Sequence, residues 1–333
     1  MFVRIVNSFL SNVTTRLYKG EYKMIEIQSV SKSFGSFKAV DNISFKIKDK
    51  EILGLLGPNG AGKSTTINMM CGVLKKDSGK INILGHDLDK DWKYIRREMG
   101  VVPQDIAVFY DLTTIENLMY FGSLYGLKGN ELKSKVKETL EFIGLENVAN
   151  KIPKNFSGGM KRRLNIGCAI VHQPKLIILD EPTVGIDAQS RNHILKAIKE
   201  LNRRGSTIIY TSHYMEEIQY LCDNIVIIDH GKVIEQGKKD ELLNKYNKLE
   251  RFEFTVDRTV NDNLIKSIES IDGLKDCTGK GNTLCISAEK DSRVLEKIIS
   301  KNIEMDIGFS SINMKQKNLE DIFLELTGRE LRD

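Results

Sequence analysis

The sequence predicts an α/β domain built on a parallel sheet, followed by a smaller α+β domain. Three observations carry this. The runs Ile52-Leu53-Gly54-Leu55-Leu56 and Leu176-Ile177-Ile178-Leu179 are apolar throughout, as strands covered on both faces by helices must be. A glycine-rich loop follows the first run and opens a helical pattern at Ile67, Met70, Cys71 and Leu74. Beyond residue 250, short alternating and helical stretches interleave.

The loop between the first strand and helix is Gly57-Pro58-Asn59-Gly60-Ala61-Gly62-Lys63-Ser64-Thr65. In this strand–loop–helix setting the pattern reads as a phosphate-binding loop (P-loop). Its glycines let successive N–H groups point inward at an anion. The helix N-terminus behind them adds unpaired donors and the positive end of its dipole. Lys63 reaches the β- and γ-phosphates of a nucleoside triphosphate, and the Ser64 hydroxyl completes the shell of a Mg²⁺ ion. Such a loop serves many purposes, so the rest of the chain must choose among them.

The second strand ends in Asp180-Glu181-Pro182. Ligands of open α/β sheets bind at the carboxyl ends of the strands, where these two acids fall. Asp180 is placed to hold Mg²⁺ and Glu181 to polarise an attacking water, while Pro182 stops the strand. Upstream, Phe156-Ser157-Gly158-Gly159-Met160-Lys161-Arg162-Arg163-Leu164 offers Ser157 as a helix N-cap, with two glycines freeing backbone donors. By itself that segment also suits an ordinary capped helix with a basic first turn.

With these residues in order, the chain resembles the ATP-binding-cassette (ABC) ATPases, in particular the export-type branch that includes antibiotic-resistance, sodium-extrusion and lipid-export ATPases. The segment Phe156 to Leu164 resembles the family's signature motif, Val101-Val102-Pro103-Gln104 its Q-loop, and Gly185-Ile186-Asp187 its D-loop. Thr211-Ser212-His213, after the strand Thr207-Ile208-Ile209-Tyr210, resembles the switch-histidine loop, and Phe34 occupies the position that stacks on adenine. The resemblance spans Met24 to about Gly237. Phe34 stands where tyrosine is usual, the signature ends in Met160 rather than glutamine, and the D-loop reads Gly-Ile-Asp instead of Ala-Leu-Asp.

The resemblance implies an ATPase whose two copies face head to tail. Each ATP then lies between the phosphate loop of one copy, with Phe34, and the Ser157, Gly158 and Gly159 of the other, with Asp187 close by. Gln104 becomes a Mg²⁺ and water ligand and the contact to the transport partner. Glu181 and His213 orient the water for in-line attack, and Lys63 neutralises developing charge. The cofactors implied are ATP and Mg²⁺. The partners are an integral-membrane permease and a second ATP-binding subunit, as a homodimer, with no nucleic acid. The alternative function class is a soluble ABC ATPase of translation or DNA repair. Such chains carry two cassettes or a coiled coil splitting the cassette, whereas this sequence holds one phosphate loop and one signature segment.

Composition is that of a globular protein, 41% hydrophobic over 333 residues. No apolar stretch approaches the ~20 residues needed to span a bilayer. A transport role therefore places the membrane pathway on another polypeptide and this chain at the cytoplasmic face of the membrane. Five scattered cysteines form no Cys-x-x-Cys pair and read as reduced apolar residues. The net charge of +5 is modest, and runs such as Lys161-Arg162-Arg163 suit solvated or phosphate-contacting faces better than a nucleic-acid surface.

The organisation expected is an extension over 1–23, an ATP-binding domain over 24–240, a connector over 241–250 and an accessory domain over 251–333. The extension reads either as an arm on the membrane surface or as a segment without a role, the second being favoured by its weak amphipathic pattern. Alternation at Ile25-Glu26-Ile27 and Ile43 to Ile47 predicts an antiparallel β layer beside the parallel sheet. A helical subdomain at about 105–165 follows from the spacing of Leu132, Val136, Leu140 and Ile143. Phe109, Tyr110, Leu118, Tyr120, Phe121 and Tyr125 cluster there, most as core and some as a groove for the membrane subunit. In the last domain, strands at Phe252 to Val256, Thr283 to Ile286 and Ile303 to Ile307, with helices around Leu264 and Val294, suggest a ferredoxin-like β-α-β-β-α-β unit. The segment Asn318 to Gly328 carries Leu319, Ile322, Phe323 and Leu326 on one helix face and resembles the end of the same branch. A folding accessory and a regulatory or dimer-stabilising domain are equally open readings of this part.

Overall fold

A computed structural model describes residues 23–290 and 292–328. The extension read at residues 1–23 lies outside them except for Lys23, as does the tail 329–333. The described residues form two compact units, one ending at Lys239 and one spanning Asp240–Gly328.

In the first unit, β1 (Lys23–Phe34), β2 (Phe37–Lys48), β4 (Ser78–Ile83) and β5 (His86–Asp87) make the antiparallel layer, in the order β2-β1-β4-β5. The alternation read at Ile25 and Ile27 pairs them with Ile47 and Phe45. The central sheet has the order β10-β9-β3-β8-β7-β6, formed by β3 (Ile52–Leu56), β6 (Met99–Val102), β7 (Leu176–Leu179), β8 (Thr207–Tyr210), β9 (Asn224–Asp229) and β10 (Lys232–Lys238). β6, β7, β8, β3 and β9 pair in parallel, and only β10 runs antiparallel. β3, β7 and β8 are buried at every position, which is why their sequences show no alternation. Side chains from both sheets share one core that includes Ile25, Ile47, Leu53, Leu55, Met70, Ile83 and Ile178.

The helices α1 (Lys63–Met70), α2 (Trp92–Ile95), α3 (Thr114–Leu124), α4 (Gly129–Ile143), α5 (Gly158–Ile170), α6 (Ala188–Arg203) and α7 (Met215–Leu221) complete the unit. α3, α4 and α5 form the helical subdomain around Leu118, Val136, Leu140, Ile143, Leu164 and Cys168. Thr113 and Glu116 make a capping box at the start of α3, and Gly144 in left-handed conformation ends α4. The aromatic cluster differs from expectation. Of its six residues only Leu118 is fully buried, while Phe109, Tyr110 and Tyr120 are at least 40% exposed. The buried face of α3 is Thr114, Asn117, Leu118 and Gly122. Asn117 is internal because it ties down the preceding loop, accepting from Phe109 N and donating to the carbonyls of Phe109, Leu112 and Thr113.

The second unit holds most of α8 (Lys239–Tyr246), then β11 (Leu249–Val256), α9 (Asp262–Glu269), β12 (Leu274–Lys280), β13 (Thr283–Glu289), α10 (Val294–Glu304), β14 (Phe309–Lys315) and α11 (Leu319–Thr327). The order β-α-β-β-α-β is the one read from the sequence, in an antiparallel sheet ordered β12-β13-β11-β14. One strand is displaced. Ile303 to Ile307 is not a strand: α10 continues through Glu304, and the last strand begins at Phe309. Ile303 is 70% exposed, so the apparent alternation there reflects the end of a helix rather than a pleat.

Candidate functional site

The phosphate loop joins β3 to α1, and its glycines are structurally required. Gly60 and Gly62 have φ of 77° and 107°, a region that side-chain-bearing residues rarely adopt. A Cβ on Gly62 would lie 2.5 Å from the Ala39 carbonyl oxygen, and one on Gly57 2.2 Å from that of Ile228. Lys63, the first residue of α1, is buried and donates from Nζ to the carbonyls of Gly57 (2.6 Å) and Pro58 (3.1 Å). Burial lowers its pKa, against the opposing pull of Glu181 and Asp180. Ser64 is exposed on the same first turn.

β6, β7 and β8 are parallel neighbours, so their carboxyl ends fall along one edge. That topology brings together residues 104, 180, 181 and 213. Asp180 N donates to Val102 O at 2.9 Å, and the Thr211 hydroxyl donates to Asp180 Oδ1 at 2.7 Å. The same hydroxyl accepts from Glu181 N at 2.8 Å, so one side chain sets both acids. Burial raises the Asp180 pKa, and the Thr211 bond opposes it. Glu181 has φ of 48°, an uncommon conformation for a residue other than glycine. Its buried carboxylate accepts from Gln104 Nε2 at 3.1 Å on Oε2 and lies 2.5 Å from His213 Nε2 on Oε1.

A second cluster forms around Ser190. Ser157 caps α5, accepting from Met160 N at 3.3 Å, and Asp187 caps α6, accepting from Ser190 N at 2.9 Å. That backbone bond holds the Asp187 carboxyl below its ordinary pKa. A Cβ on Gly159 would lie 2.1 Å from Ser190 Oγ, so the first turns of α5 and α6 touch at a position with room only for glycine. Phe34 sits apart at the tip of the β1–β2 hairpin, 51% exposed, with Lys32 Nζ 5.7 Å from its ring centroid.

The sequence pattern of the ABC transporter family matches residues 40–184. The linearmycin resistance ATP-binding protein of Bacillus subtilis (strain 168) is 44% identical over 93% of this chain and 100% of its own length. This chain belongs to the ABC transporter ATP-binding proteins. A Nod factor export ATP-binding protein of Sinorhizobium fredii is 36% identical over 93% of the chain and 87% of its own length. Among solved structures, the ATP-binding subunit of an ABC transporter superposes with a TM-score of 0.62 at 29% identity, covering 67% of this chain and 93% of that one. A dimeric cassette in a post-hydrolysis state with ADP and Pi superposes with a TM-score of 0.59 at 28% identity, covering 65% and 98%.

As an ABC ATPase the chain binds and hydrolyses ATP, and the soluble alternative of translation or DNA repair is not favoured. The donors around the phosphate loop fit Mg²⁺. The Ser64 hydroxyl, the Gln104 amide and the Asp180 carboxylate supply only oxygen, the preference of a hard cation. Among the described residues no cluster of three or more His, Cys, Asp or Glu suits a metal, and Mg²⁺ at a triphosphate needs no such cage.

Several residues of this ABC ATPase escape a reading of local sequence. Arg162, in the helix after the signature motif, is buried and donates to the carbonyls of Pro103 (2.9 Å) and Gln104 (2.6 Å). Asn165 on the same helix accepts from Ala107 N at 3.2 Å, so α5 clasps the Q-loop from Pro103 to Ala107. Thr211 and Glu217 are likewise internal organisers. The basic run at Lys161 to Arg163 signals charge, but nothing local marks one of its members as internal.

Gly62→Ala tests the loop directly. The left-handed conformation costs a side-chain-bearing residue about 1–2 kcal/mol, and the clash with Ala39 adds to it. An affinity for ATP reduced by about tenfold or more is the expected result, measured by titration with a fluorescent ATP analogue.

Proposed function

We propose that this chain powers export through a separate membrane permease, by ATP-driven closure of a homodimer at the cytoplasmic face of the membrane. The observation that carries the reading is the Glu181 carboxylate held between Gln104 and His213 at the carboxyl end of the parallel sheet, behind the phosphate loop. The names of the resistance and export relatives, matched along nearly the whole chain, support the direction of transport.

In this mechanism the loop amides from Gly57 to Thr65 and the Lys63 ammonium bind the β- and γ-phosphates of ATP, and Phe34 stacks on adenine. Ser157, Gly158 and Gly159 of the opposite copy donate to the γ-phosphate, with its Asp187 beside them. Glu181 orients a water and accepts its proton as the water oxygen attacks phosphorus in line and the bond to ADP breaks. His213 steadies Glu181 and the γ-phosphate, and Lys63 offsets the charge on the equatorial oxygens. Ser64, Asp180 and Gln104 would hold Mg²⁺, which would supply positive charge against that of the phosphates. Contacts to the γ-phosphate exist only in the closed dimer, so ATP closes it and hydrolysis reopens it. The dimeric cassette with ADP and Pi among the similar structures supports this arrangement.

The permease meets the chain at the helical subdomain. A groove of about 500 Å³ runs there between the region of α2 and α3, with Trp92, Phe121, Leu124 and Tyr125 as its apolar lining and Arg96 and Arg97 as its basic part. A mainly apolar lining that also carries two arginines suits a helix of a membrane subunit. The ATP-binding domain occupies 24–240, and a connector at 241–250 leads to an accessory domain over 251–333.

Purification of the tagged chain from its native membrane in detergent tests the proposal. A multi-span membrane protein in stoichiometric amount is the expected co-purifying species. Recovery with ribosomes or DNA, and no membrane protein, would overturn it.

A further inference from the structure

Glu217 is a buried carboxylate that the mechanism above does not use, 2% exposed near the start of α7. Three hydroxyls converge on its Oε2: Ser212 at 2.5 Å, Tyr210 at 2.7 Å and Thr183 at 2.8 Å. Arg191 Nε faces its Oε1 at 3.6 Å. The Arg191 guanidinium also lies 4.4 Å from the centroid of the Tyr214 ring, a cation–π contact. These donors come from three functional segments. Thr183 is two residues beyond Glu181, and Ser212 immediately precedes His213. Arg191 belongs to the first turn and a half of α6, with its N–H bonded to the Asp187 carbonyl at 2.8 Å.

Both neighbours of His213 are therefore anchored to one buried acid. The Ser212 hydroxyl donates a hydrogen bond to Glu217 and accepts one from Tyr214 N at 3.0 Å, while Tyr214 is covered by the cation facing Glu217. A carboxylate offers acceptor capacity for several donors at once, which a hydroxyl or a single amide oxygen matches poorly. Such a group is costly to bury without partners; here Oε2 takes all three hydroxyls, while Oε1 has no hydrogen bond and is offset by the charge of the Arg191 guanidinium.

We propose that Glu217 is a positioning residue for hydrolysis, holding the Ser212–Tyr214 turn so that His213 meets Glu181, and joining that turn to the D-loop helix through Arg191. The inference rests on the proposed roles of His213 and Glu181. A small misplacement of a reacting group has large kinetic consequences, on the order of a hundredfold for 1 Å. Since Glu217 acts through His213, its substitution should be felt in kcat and not in ATP binding.

The test is a double-mutant cycle between Glu217→Gln and His213→Ala, read by steady-state kcat, KM for ATP and single-turnover rate. Glu217→Gln keeps the shape and one acceptor oxygen but loses the charge facing Arg191. A fall in kcat of about tenfold with unchanged KM is expected, and that fall should vanish in the His213→Ala background. Ser212→Ala, which removes one hydroxyl only, should reproduce a smaller fall with the same dependence on His213, and it serves where Glu217→Gln does not fold. An unchanged kcat in folded Glu217→Gln, or an equal fall with and without His213, overturns the positioning role. If His213→Ala alone leaves kcat unchanged, the role of the histidine fails first, and the positioning role with it.

Discussion

Glu181→Gln is expected to retain ATP and lose turnover, with hydrolysis slowed by about a thousandfold. That figure lies within the range that a positioned general base supplies. The glutamine keeps the backbone conformation and the volume of the glutamate. Its amide keeps an acceptor for Gln104 Nε2 but has no basic oxygen to take a proton from water. Lys63, Ser64 and the loop glycines are untouched, so binding survives. If the chain closes as the proposed head-to-tail dimer, this separates closure from reopening, and ATP should trap a stable dimer. Size-exclusion chromatography with light scattering, with and without ATP, measures it. A Glu181→Gln protein that remains monomeric at saturating ATP would count against the composite site.

Arg162→Met should lower the rate of hydrolysis by about 10- to 100-fold, the scale of a misplaced active-site group, with a much smaller effect on stability. Two contributions oppose each other in the stability. The carbonyls of Pro103 and Gln104 lose their donors, at about 1–3 kcal/mol for each one left dry, but Gln104 lies in an exposed loop where water can replace the guanidinium. The substitution also removes a buried cation whose Nε has no hydrogen-bond partner, a relief that often offsets the loss. Function has no such compensation. Gln104 reaches Glu181 only while its loop is held to α5, and Arg162 supplies two of the bonds that hold it. A melting temperature within a few degrees of the parent, alongside the loss of kcat, is the expected pair of results. A large drop in melting temperature with normal kcat per folded molecule would refute the clasp.

Residues whose chemistry depends on their immediate neighbours were legible in the sequence. The phosphate loop, the acids closing β7 and the cap at Ser157 are each made by a few consecutive residues. Their backbone requirements, such as the left-handed Gly62, act locally. Arg162 and Glu217 could not be read in that way. Arg162 meets carbonyls 58 and 59 positions away, and Glu217 meets a hydroxyl 34 positions away, and a basic or acidic helix residue looks the same whether it points into solvent or into the protein. The parallel strands were legible because burial on both faces makes them uniformly apolar. β12 and β14 were not, since β12 buries only Cys277 and β14 is almost wholly exposed. Without one buried face, a strand leaves no period in the sequence.

The conformation of Glu181 sets two kinds of fitness against each other. A glycine would occupy φ of 48° without strain, whereas the glutamate is held there by the Thr211 hydroxyl on its N–H and by the partners of its carboxylate. In the proposed mechanism, the position that most needs a carboxylate is thus one where the backbone favours its absence. A selection for thermal robustness alone would erode this residue early, and only continued demand for turnover keeps it in place.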